Sequence, residues 1–174
     1  MPATPTVSAS ELHAAIERIA VAIEARHGRD PKALLVGIAN GGLELTRRLA
    51  ARLKLPTGTL DISFHRDDIG RNPIPKEFVP TRLPADIADA HVILVDDVLF
   101  TGRTLKAALD ELFDHGRPET VELAILIDRG GRRLPFAADF CGITLATQPG
   151  EKVVVHLDDK KPDQDHATVR PAAQ

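Results

Sequence analysis

The chain of 174 residues has a single cysteine, Cys141, and no surplus of positive charge. It has no apolar stretch near the ~20 residues that a membrane-spanning helix needs. One cysteine excludes a disulfide framework within the chain and fits a reduced, intracellular setting. The first thirty residues carry no basic segment followed by an apolar run, so no secretory leader is expected and cytoplasmic is the default localisation. A formal net charge of −3 leaves no global positive field to draw the chain to nucleic acid or an anionic membrane, so such binding requires a local patch. The seven histidines are scattered without metal-ligand spacing, and surface or packing roles are expected for them. Neither a Gly-Lys-Ser/Thr phosphate loop nor the Gly-x-Gly-x-x-Gly dinucleotide fingerprint occurs.

What is present is an alternation of apolar strands and amphipathic helices. The opening segment 1–10 is polar and Pro-containing and reads as a loose arm. Ser8 and Glu11 have the spacing of a capping box for the helix that carries Leu12, Ile16, Ile19 and Ile23. Apolar runs at 33–40, 58–64, 92–95, 120–128 and 152–157 read as strands. Helical periodicity lies between several of them. Near-continuous apolar strands alternating with helices predict an α/β fold with a mostly parallel, twisted sheet flanked by helices. Residues 65–90 carry four prolines between 73 and 84 and no sustained period, which predicts a functional lid or a disordered loop. The polar segment 158–174 is expected to be a disordered tail.

In such folds ligands sit at the carboxyl ends of the strands. Three unusual features fall there: Gly41-Gly42, Asp96-Asp97 and Asp128-Arg129. The strongest is "VILVDDVLFTGRT", residues 92–104, where an apolar run meets two carboxylates and then Thr101-Gly102-Arg103-Thr104 at a helix start. Backbone N–H groups in such a loop, hydroxyl donors and a helix N-terminus together make an anion site. Like charge forbids the two carboxylates from serving that anion. They suit hydroxyls attached to it, or a divalent cation, and a sugar phosphate offers both halves.

These residues resemble the signature of the type I phosphoribosyltransferases, an apolar strand with two acids and a Thr-Gly loop that binds phosphoribosyl pyrophosphate (PRPP). "LVGIANGG", "RDD" at 66–68 and "HGRPETVELAILIDRGGRRLPFAADFCG" bring the resemblance closer to one branch, the PyrR family. Its members are uracil phosphoribosyltransferases that also regulate pyrimidine operons. The likeness spans roughly residues 10–157, which would form one domain with a lid at about 68–88 and a small hood. It implies that Thr101, Gly102, Arg103 and Thr104 hold the 5-phosphate, with Val98, Leu99 and Phe100 leading into the same stretch. Asp96 and Asp97 would hold the ribose hydroxyls and act on Mg²⁺ indirectly, through PRPP. Asn40 and Gly41 would line the pyrophosphate site, and Arg66, with Arg71 or Lys76, would neutralise the leaving group. Arg129 would sit near the nucleotide and Val153 against the pyrimidine.

The resemblance further implies uracil and UMP or UTP as ligands, and a homodimer or homotetramer. Two readings stay open for Arg66-Asp67-Asp68, ion-pair cluster or substrate contact, and for Val153, core or base. An RNA partner would need a basic first-helix face. The stretch "AIERIAVAIEAR" offers Glu17, Arg18, Val21 and Arg26, of which Glu17 would repel phosphate and Val21 cannot donate. Phe100 stands where the family usually has tyrosine and where purine-salvage relatives have an acid, which disfavours a purine mechanism.

Overall fold

The computed structural model describes residues 6–65, 79–84 and 86–172. Arg66, Asp67, Asp68, Arg71 and Lys76 lie outside the described residues. Among those described, the elements in order are β1 (Thr6–Val7), α1 (Ala9–His27), β2 (Ala33–Ile38), α2 (Leu43–Leu53), β3 (Thr57–Leu60) and β4 (His91–Leu99). There follow α3 (Arg103–Asp114), β5 (Thr120–Asp128), β6 (Phe140–Thr144), β7 (Glu151–His156), a 3-10 turn (Pro162–Gln164) and β8 (His166–Pro171).

Five strands form a parallel sheet in the order β3-β2-β4-β5-β6, with β4 at its centre. The two-residue alternation of a strand sorts its side chains between two cores. Ile93 and Val95 face α1 and α2, packing with Leu12, Ile19, Leu45 and Leu49. Val92 and Leu94 face α3, packing with Leu105, Ala108 and Leu112. Helix α1 starts where the sequence places it. Ser8 Oγ accepts from Glu11 N–H, and Glu11 Oε2 accepts from Ser8 N–H at 2.8 Å, the reciprocal capping box.

Three expectations are corrected. The strand read over 58–64 ends at Leu60, because Asp61 Oδ1 accepts from Ser63 N–H (3.0 Å) and Ser63 Oγ (2.5 Å), which turns the chain. The arm read over 1–10 already contains β1 and the start of α1. The segment 158–174 is not a disordered tail where it is described: β8 pairs antiparallel with β7 and with β1, and the three make the hood sheet β1-β8-β7.

Asp165 is what holds that segment down. Its side chain is fully buried and accepts from Arg48, from His13 Nε2 (2.8 Å) and from Asp158 N–H (2.8 Å). Burial alone would push its carboxyl up. The bonds from Arg48, Asp158 and His13 outweigh that and hold it below the usual value. The Asp165 contribution is therefore present above the ordinary carboxyl range and is lost as pH falls through the lowered folded value. Asp165→Ala leaves Arg48 and the Asp158 N–H without their buried acceptor. It is expected to cost about 3 kcal/mol in urea unfolding, whereas a disordered tail would leave the midpoint unchanged.

Candidate active site

The carboxyl ends of β2 and β4 and the amino end of α3 converge. The sequence reading put Asp96 and Asp97 where the strand should end. Instead, β4 continues through them to Leu99, and Asp96, Val98 and Leu99 stay in register with Ile125, Ile127 and Asp128 of β5. Alternation then directs the two acids to opposite faces of the sheet. Asp96 is buried on the α3 side, in a cleft of about 110 Å³ shared with Phe100, Thr101, Gly102 and Thr104. Asp97 lies on the other side, against the loop after β2. A Cβ on Gly41 would stand 2.7 Å from Asp97 Oδ1, so only glycine lets that backbone approach the carboxylate so closely.

The loop itself is tightly built. Its Ala39–Asn40 peptide is cis. Leu43 N–H donates to Asn40 O (3.2 Å), and Thr46 Oγ1 donates to Gly42 O (2.7 Å). A Cβ on Gly42 would fall 2.1 Å from Val95 O, so this glycine lets the loop lie flat on β4. The structure thus brings Gly41 beside Asp97.

Burial raises both carboxyls above the ordinary range, and the Asp97 charge raises Asp96 further; Asp97 N–H also donates to Asp96 Oδ1 at 2.9 Å. Two acids held in this way favour a guest that donates hydroxyl protons or brings positive charge. Their all-oxygen donor set also fits the chemistry of Mg²⁺ bound through a ligand.

Gly102 precedes α3 with φ +93°, a left-handed conformation that glycine adopts without penalty. It turns the chain so that the amino end of α3, where Arg103 N–H donates to Thr101 Oγ1 at 3.3 Å, opens beside Thr101 and Thr104. The loop is braced from behind by residues 129–136. Arg133 and Leu134 N–H both donate to Thr101 O at 3.0 Å. Arg132 donates to Phe100 O (2.8 Å), Phe136 O (2.9 Å) and Asp128 Oδ2 (2.5 Å). The bracing role of Arg132 depends on contacts to residue 100, which sequence spacing does not reveal. Arg132→Ala is expected to weaken binding of a phosphate ester at this loop about tenfold, the effect of losing charge-assisted bonds of about 1.5 kcal/mol. Arg132→Lys, lacking the planar fork, recovers little of it. Calorimetric titration with a sugar phosphate measures both.

Arg129 is buried, its guanidinium lying 3.8 Å from the Phe100 ring centroid while its Nε donates to Thr147 Oγ1 at 3.1 Å. Phe100 thus supplies a flat face to Arg129, and it joins the phosphate loop to the turn after β5. Val153, in β7, is half-buried and packs on the core shared with α1 and α2. Of the expected lid, 79–84 and 86–88 are described, and this part is fastened. Arg82 and Thr59 exchange backbone hydrogen bonds (2.8 and 2.9 Å), Thr81 Oγ1 donates to Glu111 (2.5 Å), and Ile87 is buried.

The α1 face read for RNA carries cations already engaged by protein. Arg18 donates to Gly142 O (2.7 Å), Arg26 pairs with Glu122, and Arg52 pairs with Glu17 and Glu24. With Arg129 and Arg132 also turned inward, no coherent basic face appears there among the described residues.

A family model described as the phosphoribosyl transferase domain matches residues 8–160. The chain is similar to the bifunctional protein PyrR of Chloroflexus aurantiacus, at 47% identity over 87% of this chain and 86% of that protein. It is similar to the bifunctional protein PyrR of Deinococcus radiodurans, at 44% identity over 90% and 88%. Among solved structures, a hypoxanthine phosphoribosyltransferase from Staphylococcus aureus shares the fold with a TM-score of 0.70, at 18% identity over 98% of this chain and 94% of that one.

Proposed function

The chain belongs to the phosphoribosyltransferase family, in its PyrR branch, and from that premise we propose that it is a uracil phosphoribosyltransferase forming UMP and pyrophosphate from uracil and PRPP. The observation that carries the reading is the convergence at the central strand. The α3 amino end with Thr101–Thr104 shares one cleft with the buried Asp96, and the Asp97–Gly41 contact lies on the other face of the same strand end. Each matches one part of PRPP: the 5-phosphate, the ribose hydroxyls and the pyrophosphate.

In the transfer, uracil N1 bonds to ribose C1 as the C1–O bond to pyrophosphate breaks, and the N1 proton leaves to solvent. Positive charge develops on the sugar, and Asp96 and Asp97 hold the ring hydroxyls while it does so. Backbone N–H groups around Asn40 and Gly41 face the departing pyrophosphate, and we assign Arg66 to the same charge. Mg²⁺, when bound with PRPP, neutralises the pyrophosphate oxygens. We assign Arg129 and Val153 to the nucleotide side. Uracil as the base rests on the PyrR resemblance and on Phe100, which leaves no carboxylate at the position where purine enzymes carry one. We also propose that the protein binds UMP or UTP and assembles into dimers or tetramers, as the resemblance implies.

Pyrophosphate release with uracil, hypoxanthine, guanine and orotate in parallel tests the base. Release with uracil alone is expected; release with a purine and not with uracil would overturn the reading. A second activity, control of pyrimidine operons through RNA, is what the PyrR resemblance implies. Because the α1 cations are engaged, any RNA affinity is expected to have a shallow salt dependence. Filter binding to the chain's own operon leader across a salt series measures it.

A further inference from the structure

At the opposite end of the central strand from Asp96 and Asp97, His27 and Asp30 meet His91, which lies 61 positions beyond Asp30. His27 ends α1, Asp30 lies in the turn before β2, and His91 opens β4. The turn is fixed by backbone: Asp30 N–H donates to His27 O (3.0 Å), and His91 N–H donates to Lys32 O (3.0 Å). Asp30 Oδ1 is taken by Lys32 N–H at 2.9 Å, which leaves Oδ2 aimed at both imidazoles. His27 Nδ1 is 3.3 Å from that oxygen and His91 Nδ1 is 2.5 Å from it. The side chains are only 10%, 17% and 28% exposed for His27, Asp30 and His91.

We propose that His27 Nδ1, His91 Nδ1 and Asp30 Oδ2 form a site for one divalent transition-metal ion of the zinc class, with water as the fourth ligand. The donor spacing fits. With metal–nitrogen and metal–oxygen bonds of about 2.0–2.2 Å, the edge of a tetrahedron is about 3.3 Å, and the three donor atoms lie within 4.8 Å of one another. The His27–Asp30 separation already equals that edge, and the more exposed His91 ring has room to withdraw to it.

The surroundings are those of a ligand histidine. His27 Nε2 is held by Glu122, which is in turn held by Arg26. A carboxylate on the far ring nitrogen fixes the tautomer and orientation that a metal-binding imidazole needs. In the absence of a metal, His27 faces a carboxylate at each ring nitrogen, and Asp30 Oδ2 receives both rings. A cation at the centre satisfies all of these groups together. Two imidazole nitrogens and one carboxylate select Zn²⁺, Co²⁺ or Ni²⁺ over Mg²⁺, which keeps this ion distinct from the one PRPP chemistry uses.

The test is a Co²⁺ titration of the tag-free full chain in millimolar Mg²⁺, followed by visible absorption, with Zn²⁺ displacing the Co²⁺. One equivalent with the intense bands of tetrahedral Co²⁺ is expected. His91→Gln should weaken it at least tenfold, and Asp30→Asn likewise. Glu122→Gln should keep the stoichiometry and lower the affinity, while uracil transfer by His91→Gln stays at the native rate. Cys141→Ser and Glu111→Gln, the latter removing a ligand from the other His-acid group (His65, Glu111, Asp114), should leave the spectrum unchanged. No binding, binding unaltered in His91→Gln, or loss of the bands with Glu111→Gln would each overturn the proposal.

Discussion

Asp97→Asn is expected to lower kcat/KM for PRPP by about 10²–10³, the usual effect of losing one preorganised polar contact in a water-poor site. At pH 8 it is also expected to raise the melting temperature of the ligand-free protein by about 3 °C. Both effects have one origin. Burial raises the Asp96 and Asp97 carboxyls in the folded chain, while in the unfolded chain they ionise near the ordinary value. The folded state therefore binds protons more tightly, so this contribution to stability is complete at acid pH and is lost as pH rises through the folded values. Asparagine removes one of the two charges and with it the penalty, worth about 1 kcal/mol in a chain of this length. The gain should shrink as pH falls through the ordinary carboxyl range and vanish at about pH 3 and below, where the carboxyls are protonated in both states. Thermal melts of both proteins from about pH 3 to pH 8 give the comparison. Equal melting temperatures at pH 8 would show that the pair is not strained by its burial.

The second large effect belongs to Gly102. At φ +93° an alanine is strained, and its Cβ would stand 2.8 Å from Phe136 Cδ2 and 3.2 Å from Leu134 Cβ. Those two residues belong to the brace behind the phosphate loop, so the strain is relieved only by moving the α3 amino end away from it. A left-handed non-glycine residue costs about 1–3 kcal/mol. Most of that should appear as a rise of ten- to a hundredfold in the PRPP KM, with the uracil KM nearly unchanged. Steady-state kinetics with each substrate varied in turn separates the two. A Gly102→Ala enzyme with a native PRPP KM would remove the loop from the phosphate site.

The parts of this site that lie close together in sequence were legible there. The strand, the acid pair and the Thr-Gly turn fall within thirteen residues, and the apolar run is enough to put a buried strand there, although β4 runs on through Asp96 and Asp97 to Leu99. What spacing does not carry is a contact between distant elements. Asp165 reads as one charge in a polar tail until Arg48, His13 and Asp158 are seen to converge on it. Arg132 reads as a surface cation until it is found on Phe100 O and Phe136 O. His27 and His91 are sixty-four positions apart and show no ligand spacing, yet parallel pairing of β2 with β4 sets them on one carboxylate. The prolines after residue 72 read as one long loop, whereas Thr59 and Glu111 fasten its return leg.

The central claim is that the site at the carboxyl end of β4 joins uracil to the phosphoribosyl group. Its most direct measurement is conversion of radiolabelled uracil to UMP by the purified chain with PRPP and Mg²⁺, resolved chromatographically and run beside Asp97→Asn. Label in UMP, equimolar pyrophosphate and a loss of at least a hundredfold in the variant are predicted. Uracil recovered unchanged from the native chain, or UMP formed equally well by Asp97→Asn, would contradict it.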